Sequence, residues 1–227
     1  MGDVDHAAER RRLVEHLRRR TDASERTLSA IAAVPRHEFV PEKDRSHAYA
    51  DRPLPIGHGQ TISAPHMVAV MVDLLEVSSG DRVFEVGTGC GYHAAVVAEI
   101  VGPGNVYSVE YVSELADAAR ERLDRLGYDV TVRAGDGRTA FAECDPFDAA
   151  YLTCAAPGGV PREIVDRTRP GGHVVAPVET DGDAGGLLGR VASGRSGTSQ
   201  RLVRLTVRDD GGVDHEDHGA VRFVPMR

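Results

Sequence analysis

The sequence predicts an α/β protein: a doubly wound parallel sheet with an N-terminal helical cover and C-terminal antiparallel strands. Three observations carry this. From Arg82 to Val178, short β-branched runs alternate with helical stretches, a pattern that builds right-handed crossovers and helices on both sheet faces. Gly87, Gly89 and Gly91 cluster where the first run turns into a helix. Beyond Val178, two strand-like runs flank Asp209-Asp210-Gly211-Gly212, which is hairpin chemistry. At 227 residues, 41% of them hydrophobic, the chain is one domain with a core to bury.

Residues 6–20 are charged, with Leu13 and Leu17 four apart, and predict an amphipathic helix. Ser24 is placed to cap a second helix carrying Leu28, Ile31, Ala32 and Val34, which must stop before Pro35. Five prolines between Pro35 and Pro65 predict an ordered loop wrapped over the domain, and Met67 to Leu75 returns to helical spacing. RVFEV is the first core strand and YHAAVVAEIVG its helix. NVYSVE, SELADAARERLDRLG and DVTVRAGD follow as strand, helix and strand. FDAAYLT, REIVDRTR and GGHVVAPV repeat that order, and RLVRLTVR with GAVRFVP forms the terminal hairpin. Within the single domain 1–227, residues 1–65 supply helices and a ligand loop, 66–180 the α/β core and 181–227 the last strands.

The formal charge is −8, aromatics are 5% and tryptophan is absent, which argues against a whole-molecule grip on nucleic acid. No apolar run approaches the ~20 residues that span a bilayer; Val68 to Val77 is interrupted by Asp73. The N-terminus is charged from its third residue, unlike a signal peptide. Cys90, Cys144 and Cys154 form no CxxC pair. The expectation is a reduced, cytoplasmic monomer without membrane or nucleic-acid partners.

Glycines at a strand-to-helix turn let a ligand approach the backbone and leave the helix N-terminus open. Glu110 lies at the end of the next strand, nineteen residues after Gly91, where a carboxylate can accept both hydroxyls of a ribose. Loop and acid together are a nucleoside-binding signature; alone, each is also a plain turn or a solvated strand-end charge. The dinucleotide fingerprint needs a small residue five positions after the first glycine, and Tyr92 stands there. Glu85 beside the loop would repel a pyrophosphate and suit a cation, which favours S-adenosylmethionine over NAD. Asp136-Gly137 closes the third strand, as a turn or as a carboxylate facing the base.

Upstream, Pro55 to Met67 is a loop opening a helix, with two hydroxyls and two imidazoles. It either presents N–H groups and the Ser63 hydroxyl to an anion or is a capping turn with Ser63 as N-cap. GHGQTISAPHMV, EVGTGCGYHAAVVA, VYSVE, GDGR, PFDAAYLTCAAP and VRFVP together closely resemble the protein-L-isoaspartate O-methyltransferase family, from about Val34 to Pro225. The resemblance implies a Rossmann-like S-adenosylmethionine-dependent methyltransferase sheet and isoaspartyl residues of damaged proteins as acceptors. It makes Ser63 the active-site serine. Cofactor contacts would be Ile56, Gly57, His58, Gly59, His66, Glu85, Gly87, Thr88, Gly89, Gly91, Glu110, Asp136 and Gly137, and Ile62, Ser63, Val221 and Val224 would line the substrate groove. A methyltransferase of another carboxylate or small molecule, or a non-catalytic binder of isoaspartyl peptides, is the alternative.

Some features fall outside that scheme. Glu179 stands where the family has glycine, and Asp181 to Ser199 is a long Gly/Ser-rich stretch. His215-Glu216-Asp217-His218 is expected to be a solvated loop rather than a metal cluster. The arginine runs at 10–12 and 18–20 read as a solvated helix face. Cys90 at a helix start is a small filler or a thiol of lowered pKa. Asp181-Gly182 and Asp210-Gly211 are expected to form isoaspartate themselves, with Asp136-Gly137 protected.

Overall fold

Asp5 opens the first helix, α1 (His6–Arg20), its carboxylate accepting the Ala8 amide at 2.9 Å. Leu13, Val14 and Leu17 are buried, while Arg11, Arg12, Arg18, Arg19 and Arg20 stay in solvent. Ser24 caps α2 (Glu25–Ala33) through the Thr27 amide and is itself held by the Asp73 carboxylate. In this computed structural model residues 5–180 and 199–227 are described; Asp181-Gly182 and most of the Gly/Ser-rich stretch lie outside them.

The stretch from Pro35 to Pro65 is more regular than a loop. It holds 3-10 turns at Arg36–Phe39 and Glu42–His47 and a hairpin of β1 (Leu54–Gly57) and β2 (Gln60–Ile62). The hairpin closes because Gly57, His58 and Gly59 all take positive φ. Next, α3 (Pro65–Leu74) starts with proline in its first turn.

The core alternates β3 (Val83–Val86), α4 (Tyr92–Val101), β4 (Val106–Glu110), α5 (Ser113–Leu126), β5 (Val130–Ala134), β6 (Phe147–Leu152) and α6 (Arg162–Asp166). The long β7 (Thr168–Thr180) precedes β8 (Ser199–Val207) and β9 (Val213–Val221). The seven-stranded sheet runs β5-β4-β3-β6-β7-β8-β9. Its first five strands are parallel, and β8 and β9 add antiparallel. Chain order reverses at β3, so a crevice opens there at the C-terminal strand ends. Val83 and Tyr151 pack with the residues of α1 to α5 on one face. Phe84, Phe147 and Ile164 fill the other.

The terminal hairpin differs from its expected bounds. Gly211-Gly212 turns the chain at once, Val207 pairs with Val213, and the second strand spans Val213–Val221 instead of starting at Gly219. His215 to His218 therefore lie on an exposed edge strand rather than a loop, where Arg204 pairs with Glu216 and Arg201 with Asp217. Among the described residues no group of side chains could hold a metal ion. Asp210-Gly211 is also better tied than a mobile loop. The Gly211 amide, the nitrogen that would attack Asp210, donates to the Arg208 carbonyl at 3.0 Å.

Candidate active site

A cleft of about 830 Å³, open mouth included, lies over the C-terminal ends of β3, β4 and β6. Its floor is the glycine loop. Gly87 and Gly89 line it, while Gly91 stands behind as the left-handed N-cap of α4. At Gly87 a Cβ would collide with the Thr153 hydroxyl, and at Gly137 it would stand 2.5 Å from Val86. At Gly137 the contact alone requires glycine, whereas Gly87 also takes a φ of 102° that disfavours any side chain.

Glu110 is 7% exposed and lines the cleft. Its Oε2 accepts from the Gly89 amide at 2.8 Å and its Oε1 from the Val112 amide at 3.0 Å. A carboxylate has about four acceptor sites, so this arrangement fixes its orientation and leaves both oxygens able to accept a ribose hydroxyl. Tyr111, 60% exposed, stands on the same wall with its ring open to a base. No sequence pattern marked it.

Glu85 is placed differently from its expectation as a charge beside the loop. It is fully buried, off the cleft wall, and accepts from the Tyr151 hydroxyl at 2.8 Å and from Ser108. Burial raises its pKa to about 7, against those two hydrogen bonds. The reason is strand alternation: Glu85 shares a face with Val83, under α4. Thr88 does line the cleft, its hydroxyl 2.5 Å from Ser108.

Asp136 also departs from expectation. Its carboxylate is clasped by the Arg138 side chain, with Nη2 at 2.7 Å, and accepts the Arg138 amide, bonds that lower its pKa. Gly135 and Gly137, not Asp136, reach the cleft wall.

Gln60, Thr61, Ile62 and Ser63 line the same cleft as Glu110. Ser63 is no cap: the N-cap of α3 is Ala64, without a side-chain hydrogen bond. Among the described residues the Ser63 hydroxyl has no protein partner, while its carbonyl accepts from Arg36 Nη2 at 2.8 Å. Arg36 is fully buried, donates from Nε to the Ala48 carbonyl at 2.9 Å and lies 4.6 Å from the Tyr92 ring centroid. Sequence reading passed over it, because nothing local separates a buried arginine from the exposed ones around it.

The remaining expected residues sit around this centre. Ile56 presses on Gly89, its Cδ1 3.2 Å from where a Cβ would be. Gly57, His58 and Gly59 form the exposed hairpin tip, off the cleft wall. His66 anchors the start of α3, its amide and Nδ1 both on Asp51 Oδ1 at 2.9 and 2.8 Å. Val221 ends β9 against the core, and Val224 reaches the cleft because its carbonyl accepts the Ala155 amide at 2.8 Å. Cys90 lines the floor, and burial pushes its thiol up rather than down.

A parallel sheet reversed at β3, a glycine loop and a strand-end carboxylate define a Rossmann-like S-adenosylmethionine-dependent methyltransferase. The chain belongs to the protein-L-isoaspartate(D-aspartate) O-methyltransferase family, whose model matches residues 8–227. It is 47% identical over 226 residues to protein-L-isoaspartate O-methyltransferase 2 of Archaeoglobus fulgidus, covering 99% of this chain and 95% of that one. A solved protein-L-isoaspartate O-methyltransferase superposes with a TM-score of 0.79 at 26% identity, over 95% of this chain and 65% of that chain. A beta-aspartate methyltransferase from Plasmodium falciparum, solved with S-adenosyl-L-homocysteine, shares the fold: TM-score 0.77, 24% identity, 99% of both chains. Among the described residues no helix is long and apolar enough to cross a membrane.

Proposed function

We propose that the protein transfers a methyl group from S-adenosylmethionine to the free carboxylate of L-isoaspartyl residues in damaged proteins, with Ser63 orienting the acceptor. The observation that carries this is the Ser63 hydroxyl, without a partner among the described residues, which shares one cleft with Glu110. The cleft fits the cofactor: Glu110 for the ribose, Tyr111 for the base and a floor without side chains at Gly87 and Gly89 for close approach.

The bound cofactor supplies a methyl group on sulfonium, poised for in-line displacement. An acceptor carboxylate titrates near ~4 and is already ionised at neutral pH, so no general base is required. What the chain must provide is alignment to a near-attack contact of about 3–3.5 Å. Ser63 donates to the acceptor, Arg36 holds the Ser63 backbone, and Ile62 with Val224 walls the groove on two sides. The protein acts on isoaspartyl proteins and peptides as a cytoplasmic monomer, without nucleic acid or membrane; the net charge of −8 and three free thiols support this. The test is methyl transfer from labelled S-adenosylmethionine to matched peptides bearing isoaspartate or aspartate. Label is expected on the first alone; equal labelling, or none, overturns the proposal.

A further inference from the structure

His93 has no part in the chemistry above, yet it is the second residue of α4 and lines the same cleft. It is 6% exposed, and both ring nitrogens are buried without a hydrogen-bond partner among the described residues. Its ring packs against Tyr151, centroids 4.5 Å apart, and Tyr151 spends its hydroxyl on Glu85. A buried imidazole with neither nitrogen satisfied is a standing cost, and a polar group entering the cleft relieves it.

Sheet order says which group that is. Glu110 ends β4, Tyr151 lies on β6, and β3 with its glycine loop runs between them. A nucleoside held by its ribose at Glu110 and laid across that loop carries its 5′ substituent toward β6, where His93 stands. In S-adenosylmethionine that substituent ends in an α-amino acid. We propose that His93 binds the amino-acid end of S-adenosylmethionine, a ring nitrogen accepting a hydrogen bond from the α-ammonium group.

The protonation state agrees. Burial holds the His93 pKa down to about 3, so the ring is neutral at physiological pH and keeps a lone pair. An ammonium neighbour reinforces the neutral form, whereas a carboxylate would favour the imidazolium.

The experiment is equilibrium binding of two ligands, S-adenosylhomocysteine and 5′-methylthioadenosine, which share the adenosine and thioether but differ in the amino-acid end. His93→Phe keeps an aromatic ring against Tyr151 and removes both nitrogens. It is expected to weaken S-adenosylhomocysteine tenfold or more, the scale of one hydrogen bond to a charged group, and to leave methylthioadenosine within twofold. His93→Asn, which restores an acceptor, is expected to recover part of the loss. Wild-type protein labelled with nitrogen-15 imidazole gives a reading that needs no variant to fold: the His93 nitrogen resonances move with S-adenosylhomocysteine and not with methylthioadenosine. Equal weakening of both ligands by His93→Phe, or nitrogen shifts identical with both, would overturn the proposal and leave His93 a packing residue. Wild-type protein that binds neither ligand would overturn the cofactor assignment along with it.

Discussion

Replacing Arg36 by methionine removes a guanidinium that donates to the buried Ala48 carbonyl and the half-buried Ser63 carbonyl and packs over the Tyr92 ring. Each carbonyl left unpaired costs about 1–3 kcal/mol, and loss of the ring contact adds about 1 kcal/mol. Against this, the variant no longer buries a cation whose Nη1 has no partner among the described residues, which returns part of the loss. We expect a net destabilisation of about 3 kcal/mol. At about 2–4 °C per kcal/mol for a domain of this size, the melting temperature falls by about 6–12 °C. Because Arg36 grips the Ser63 backbone, kcat on an isoaspartyl peptide should fall further than cofactor affinity, measured at a temperature where the variant remains folded. Arg36→Lys, with an ammonium that reaches one carbonyl, should lie between wild type and methionine in both properties. A methionine variant with wild-type melting temperature and wild-type turnover would refute the reasoning, and would mean that the Ser63 segment is held by its hairpin alone.

Ser63→Ala should lower kcat roughly 10–100-fold, the scale of a hydrogen bond to a charged acceptor, with cofactor affinity within twofold by calorimetry; a large loss of affinity would make Ser63 a cofactor ligand instead. Glu110→Ala should weaken S-adenosylhomocysteine by about 1–3 kcal/mol in the same titration, and unchanged binding would show a merely structural carboxylate. Glu85 carries a pH signature. Its folded pKa, about 7, lies above the ordinary glutamate value of 4.5, so the native state holds the extra proton between these values and the stability contribution of Glu85 declines as pH rises through that window. Glu85→Gln should therefore be more stabilising, relative to wild type, at pH 8 than at pH 5, by about 3 kcal/mol at most. Denaturant curves in which the difference is flat or reversed would contradict the burial argument.

The strand–helix alternation from Arg82, the glycine cluster and the acid closing the next strand were legible in the sequence because each is a short-range pattern. Periodicity of 2 or 3.6 records which side of an element is buried, and a strand-to-helix glycine loop records where a ligand approaches. Ser63 was singled out by the family resemblance alone, since the loop read by itself also allowed a capping turn. Two carboxylates near that loop, both read from the sequence as serving the ligand, are placed differently in the structure. Glu110 is the last residue of its strand and faces the cleft, while Glu85 stands one residue before the end of its own and points under α4. Asp136 was caught by Arg138, a local pair that sequence allows but does not demand. Arg36 meets Ser63 across 27 residues, and His93 meets Tyr151 from a neighbouring element on the sheet face. Those encounters depend on how α4 and the N-terminal helices pack on the sheet. Local propensity determines which elements form, but only packing decides which polar atoms lose their water, and a site is made of those atoms.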